Sequence, residues 1–125
     1  MAYQKQNTVD YFPHGVEHGR KMFIVRNLYG NDGYAVWFML LEELGKAHNH
    51  FLNLSDNTQL LYLVTKFDVP KEKFVDIIET LVELGELDSE LWEEAKVIYN
   101  EKFVETIQDA YKRRKGGPKQ ISEIR

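Results

Sequence analysis

The sequence has no cysteine, which excludes disulfides and thiolate chemistry and is typical of proteins in a reducing compartment. It has no apolar run near the roughly 20 residues that a membrane-spanning helix requires. The first residues also lack the hydrophobic stretch of a secretion signal. These absences together predict a cytoplasmic protein that has no membrane partner.

Catalytic and cofactor-binding patterns are also missing. No G-x-x-x-x-G-K-[ST] loop occurs, so the phosphate cradle of an ATPase is absent. The carboxylate pairs at 42–43 and 93–94 point in different directions on a helix and have no nucleophile or base beside them. His14 and His18 supply two ligands of the about four that a structural zinc site takes. We therefore predict a non-enzymatic protein without catalytic, cofactor-binding or metal-binding residues and without a small-molecule substrate.

Charge is distributed unevenly along the chain, whose formal net charge is −4. Residues 1–111 hold 10 Lys/Arg against 19 Asp/Glu, which gives −9, and residues 112–125 hold 6 against 1, which gives +5. We expect an acidic body that repels polyanions and a short basic end that attracts them.

The apolar residues, 43% of a 125-residue chain, are enough to build the core of one domain. Their spacing predicts a mainly helical fold with short strands between the helices. Helices are predicted at residues 21–28, 33–47, 56–67, 70–84 and 100–115, and strands near 51–54, 87 and 96–99. Residues 89–94, between the last two strands, can hold one helical turn.

The helix at residues 33–47 is apolar nearly all round, which is typical of the central helix of a domain. Its main stripe is predicted to be Tyr34, Trp37, Phe38, Leu41 and Leu44. The preceding residues 30–33 read G-N-D-G and predict a turn. Within that turn Asp32 is placed to cap the helix.

Five short motifs, in this order and spacing, resemble the N-terminal domain of phage and prophage replisome-organiser proteins, which are relatives of the DnaD-type primosomal initiators. The motifs are D-Y-F-P-H at 10–14, Y-G-x-x-G-Y at 29–34, L-L-E at 40–42, I-I-x-x-L-x-x-x-G at 77–85 and I-Q-x-x-Y-x-x-R-K at 107–115. The resemblance covers most of residues 10–115. It implies a winged-helix module at the head of a replication or primosome-assembly protein, usually followed by a linker and a second region.

The predicted order of helix, strand, helix, helix, strand, turn and strand is also the chain order of a winged helix. We therefore predict a winged helix-turn-helix with a small three-stranded sheet and additional helices at both ends. Residues 1–115 form this domain, with 1–20 as an extended arm whose Tyr11 and Phe12 rings pack on it, and 116–125 form a flexible tail or linker. The chain is expected to be a small standalone relative or a piece cut at a linker.

In a winged helix the second helix of the helix-turn-helix usually enters the major groove of DNA, and here that is the helix at residues 70–84. Its face opposite Phe74 carries carboxylates where phosphates need Lys or Arg, and only Lys71 and Lys73 stand at its start and flank. It contains no arginine to read guanine. The face is predicted to be either a solvated surface or a protein-docking surface, formed by Glu72, Asp76, Glu79 and Glu83.

The basic end is the stronger candidate for a nucleic-acid contact. Its cations, with contributions from Lys71 and Lys73, would bind phosphates without sequence preference. The alternative is that they only complement the dipole of the last helix. A second small basic cluster, Arg20, Lys21 and Arg26, has the same two interpretations. The cations of the basic end are Lys112, Arg113, Arg114 and Lys115.

Two functional hypotheses remain open. In the first, the protein is a replication-organiser module that binds DNA weakly through its basic end and docks replication proteins such as a helicase loader. In the second, it is a protein-interaction or self-assembly module with no DNA binding of its own, so a homo-oligomer is possible. A winged-helix transcription regulator is a subset of the first hypothesis, and the acidic face of residues 70–84 disfavours it.

Overall fold

The computed structural model describes the backbone of residues 8–115 and the side chains of residues 8–108. The described chain is mainly helical, and the five predicted helical regions are confirmed with shifts at their ends. The elements are α1 (Arg20–Lys46), a 3-10 turn (His48–His50), β1 (Leu52–Asn53), α2 (Asn57–Phe67), α3 (Lys71–Glu83), α4 (Ser89–Ala95), β2 (Val97–Ile98) and α5 (Glu101–Lys115).

The sheet has two strands in the part of the chain that the structure describes, so the predicted third strand is wrong. β1 and β2 pair antiparallel, with Leu52 opposite Ile98. Leu87, the expected third strand, is buried in a loop. The loop is short because α3 ends just before Leu87 and α4 begins just after it. Before it, Gly85 ends α3 in a left-handed turn, and its N–H donates to the carbonyl of Val82 at 3.0 Å. After it, Asp88 caps α4, which leaves no length for a strand.

Helix α1 is two helical segments, residues 20–29 and 31–46, joined by a sharp bend at Gly30. Gly30 has φ 67° and ψ −151°, a backbone region that only glycine adopts freely. The bend folds the first segment back, so that Gly33 lies against Val25. The predicted break between the two helices is confirmed, and its physical basis is this fold-back.

The core lies between the second segment of α1 and helix α3, with residues from α2, α4, α5 and both strands closing it. From the second segment of α1 the deepest residues are Val36, Leu40 and Leu44. Trp37 of the predicted stripe is half-buried, because the most deeply buried stripe of this helix is rotated away from the prediction. The face of α3 is buried as predicted, through Phe74, Ile77, Ile78 and Leu81.

Two smaller predictions are corrected. Asp32 does not cap a helix, because its carboxylate accepts a hydrogen bond from Lys73 of α3 at 2.7 Å. Pro70 precedes α3 as its N-cap residue with ψ 147° instead of forming its first helical position. In α2 the fully buried leucine is Leu63, whereas Leu61 is exposed.

Side-chain caps begin α2 and α5. The carboxylate of Asp56 accepts from the N–H of Thr58 at 2.9 Å at the start of α2. The side chain of Asn100 accepts from the N–H of Phe103 at 2.9 Å at the start of α5. Each cap satisfies a backbone donor that the first helical turn leaves without an intrahelical partner.

Candidate interaction surfaces

The outer face of α3 is acidic and open to solvent. Its four carboxylates project away from the buried stripe of the same helix, as the helical repeat requires. Within the described part of the chain none of them takes part in an ion pair. These residues are Glu72, Asp76, Glu79 and Glu83, and they are called the acidic face from here on.

Cations close to the acidic face are directed elsewhere. Lys73 forms a 2.7 Å ion pair with Asp32 of α1, and Lys66 of α2 forms one of the same length with Glu43. Lys71 is exposed and has no carboxylate partner among the described residues. Lys71 and Lys73 were expected to contribute to phosphate binding, and of these two Lys71 alone has no ion-pair partner among the described residues.

Glu43 is a buried carboxylate that joins α1 to α2. Its Oε2 atom accepts from Lys66 at 2.7 Å and lies 3.3 Å from Lys46. The hydrogen bond to Glu43 raises the pKa of Lys66 above its usual value, so the ammonium stays charged throughout the physiological range. This cluster is a structural connection in which both lysines are already engaged.

The extended arm, residues 8–19, lies along the second segment of α1. The N–H of Val9 donates to the carbonyl of Gly45 at 2.9 Å, and the ring of Phe12 meets Phe103 of α5 edge-on at 5.2 Å between centroids. Tyr11, whose ring was expected to pack on the domain, is 80% exposed. Within the described residues Phe12 is therefore the ring of this pair that packs on the domain.

Aromatic side chains of the arm pack against the second segment of α1. His14 stacks on Phe38 with 3.8 Å between ring centroids, and His18 lies 5.6 Å from the ring of Tyr34. His14 therefore has an aromatic packing role. Over the residues that the structure describes, no three potential ligands gather into a metal site.

The first segment of α1 carries the second basic cluster. Lys21 lies 3.7 Å from Glu86, whereas Arg26 contacts the neutral partners Asn31 and Tyr34. Sequence reasoning missed Phe23 on the same segment, which is 73% exposed. The signal that could have found it is its place opposite Met22 and Val25 on a helical wheel, on the solvent side.

The side chains of the basic end lie outside the described residues. The backbone of α5 continues through position 115, so all four predicted cations belong to the last helix. Residues 116–125, predicted as a tail or linker, also lie outside the description. The residues in question are Lys112, Arg113, Arg114 and Lys115.

Taken together, the fold is a mainly helical domain with a two-stranded sheet, in which no described helix has the length and apolarity to cross a bilayer. The chain belongs to the Lin1244/Lin1753-like family, because the model of that family's N-terminal domain matches residues 11–103. No curated protein and no solved structure matches the chain. The matched span includes the bend of α1, the acidic face and both partners of the Phe12–Phe103 contact.

Proposed function

We propose that this domain is a non-enzymatic replication-organiser module, related to the DnaD-type primosomal initiators, that works in the cytoplasm by docking replication proteins. The five motifs carry the kinship. The element order supports it, because α1, β1, α2, α3 and β2 follow the order of a winged helix, with α4 between α3 and the strand that returns to β1.

The observation that carries the docking role is the charge of the outer face of α3. A helix that enters the major groove needs cations toward the phosphates, and the acidic face presents four carboxylates there. The nearby Lys73 is held by Asp32 and does not offset them. Such a face complements a basic protein surface, and charge complementarity of this kind raises the rate and the specificity of association.

DNA contact in this proposal is secondary and is assigned to the basic end of the chain. Lys112, Arg113, Arg114 and Lys115 would bind phosphates with little sequence preference, because they read no base edges. The acidic body opposes the approach of a polyanion, so the affinity is low unless two chains present two basic ends together.

The docking role is tested with a variant in which the three glutamates of the acidic face become Gln and Asp76 becomes Asn. The matched control removes four other exposed carboxylates, Glu90→Gln, Glu93→Gln, Glu94→Gln and Glu105→Gln, and so changes the net charge equally. The partner is a purified helicase loader, and binding is measured by calorimetry.

We expect the acidic-face variant to lose at least tenfold in affinity for the loader while the control keeps it. Both variants should unfold like the wild type, because exposed charges contribute little singly. Equal affinities of the two variants for the loader would show that net charge alone matters and would contradict docking through α3.

A further inference from the structure

A phenylalanine stands in the middle of the solvent-facing side of the first segment of α1. Phe23 is 73% exposed, although phenylalanine is among the residues most often buried. On a helix the positions three and four residues away are its neighbours. Here those neighbours are Arg20, Arg26 and Asn27, all exposed.

This segment is the cationic part of an acidic body. Residues 18–31 contain three Lys/Arg and no Asp/Glu, and Lys21 is offset by Glu86 at 3.7 Å. Arg20 and Arg26 form no ion pair with any residue that the structure describes.

Arg26 is held in place by neutral partners. Its Nη2 donates to Oδ1 of Asn31 at 3.1 Å, and its guanidinium carbon lies 4.9 Å from the centroid of the Tyr34 ring. The bend at Gly30 makes both contacts possible, because it folds the next segment back toward Arg26. The guanidinium is therefore oriented while its full charge and remaining N–H donors stay available, as phosphate recognition requires.

A groove of about 380 Å³ lies beside these side chains and combines an aromatic face, a guanidinium and an amide. The ring offers a stacking surface, the amide of Asn27 offers a donor and an acceptor to a base edge, and Arg26 offers donors to a phosphate. The lining residues are His18, Gly19, Met22, Phe23, Arg26 and Asn27.

We propose that this face of α1 binds single-stranded nucleic acid, with a base stacked on Phe23 and flanking phosphates held by Arg20 and Arg26. Single strands fit because a lone exposed ring reaches the face of a base only when that base is unpaired and unstacked. The proposal is independent of the basic end, since all of its residues lie between positions 18 and 31. It adds a nucleic-acid site near the N-terminal end of the domain, whereas the predicted site, residues 112–115, lies at the C-terminal end.

The test is fluorescence anisotropy of the full chain with labelled oligo-dT of about 12 nucleotides, within the site sizes of known single-strand binders. Phe23→Ala should weaken binding tenfold or more, because loss of one stacked base costs that much. Phe51→Ala, which removes a partly exposed ring from another surface, should leave the affinity unchanged.

Salt dependence tests the arginines. Arg26→Gln should reduce the slope of log affinity against log salt by about 0.7, the contribution of one phosphate contact on a single strand. Lys102→Gln removes one exposed charge from α5 and should leave the slope unchanged. Ultraviolet crosslinking to oligo-dT should place the adduct on the tryptic peptide of residues 22–26.

Three results would overturn the proposal: equal affinity of wild type and Phe23→Ala for oligo-dT, an adduct confined to other peptides, or a light-scattering mass that falls from dimer to monomer in Phe23→Ala. The last would identify the face as a contact between copies of the chain. Removing residues 112–125 distinguishes this site from the proposed DNA contact, because the Phe23 dependence should persist in that shortened chain.

Discussion

Gly30 and Gly33 meet different physical requirements within the G-N-D-G motif of residues 30–33. Gly30 supplies a positive φ that lets the chain reverse. Gly33 supplies the absence of a side chain, because a Cβ atom there would lie 2.8 Å from the carbonyl oxygen of Val25. The turn motif of the sequence therefore encodes both the bend and the close packing of the two segments of α1.

At the residue scale we expect Gly33→Ala to lower the free energy of unfolding by about 1–3 kcal/mol, the usual cost of forcing extra volume into a close-packed contact. Gly15→Ala is the control, since the atom nearest its added Cβ is the carbonyl oxygen of Glu17 at 3.8 Å, an ordinary van der Waals distance. Urea denaturation followed by circular dichroism measures both variants. If they are equally stable, the close approach to Val25 does not constrain the fold.

At the scale of elements, the arm has no regular secondary structure, yet it connects α1 with α5. It holds the second segment of α1 through the Val9–Gly45 hydrogen bond and the His14–Phe38 stack, and it reaches α5 through Phe12 on Phe103. These contacts make the arm part of the folded unit. The arm covers an apolar helix face that would otherwise meet water.

At this scale Phe12→Ala should cost about 2 kcal/mol, from lost burial and the lost edge-on ring contact. The adjacent Tyr11→Ala should cost less than about 0.5 kcal/mol, because its ring is 80% exposed and exposed positions tolerate substitution. Chemical denaturation of the two variants gives the comparison. A larger loss in Tyr11→Ala than in Phe12→Ala would show that the arm packs through the other ring.

On the scale of the whole molecule, charge is divided among separate surfaces. Carboxylates cover the outer face of α3, two unpaired arginines lie on the first segment of α1, and the remaining excess of cations falls after residue 111. A polyanion therefore meets repulsion over most of the body and attraction at defined places. The two proposals therefore assign protein docking and nucleic-acid contact to different surfaces of one small domain.

The salt dependence of duplex binding tests whether the basic end makes the contact with duplex DNA. If Lys112, Arg113, Arg114 and Lys115 each neutralise one phosphate, the slope of log affinity against log salt on duplex DNA is about −3.6. That corresponds to a loss of about 100-fold between about 50 and 200 mM salt. A chain ending at Tyr111 should lose this slope in a duplex titration. The same slope in the shortened chain would assign duplex contact to another surface.

The sequence predicted α3 almost completely because its apolar residues follow one strict stripe and its polar residues occupy the opposite side. The orientation of α1 was predicted less well, since a helix that is apolar nearly all round does not show which side is deepest. Val36 proved more deeply buried than Trp37 because the core side is set by α3 and the other side is covered by the arm. Which side of α1 is covered by other elements cannot be read from the local sequence of the helix.

The candidate surfaces were predictable to different degrees. Exposure of the acidic face followed directly from helical spacing and is confirmed. The engagement of Lys73 by Asp32 was not predictable, because it joins residues 41 positions apart that the bend at Gly30 brings together. The exposure of Phe23 was predictable, in contrast, because Phe23 lies away from the buried Met22 and Val25 on the helical wheel of its own segment.

The contact between Phe12 and Phe103 also has a consequence for the order of events during synthesis. Translation makes the arm first and the helix that receives its ring last, so the arm cannot complete its packing until α5 has left the ribosome. Until then the apolar side of α1 beneath the arm lacks a stable cover. Nascent chains halted before residue 103 should therefore present this side to chaperones.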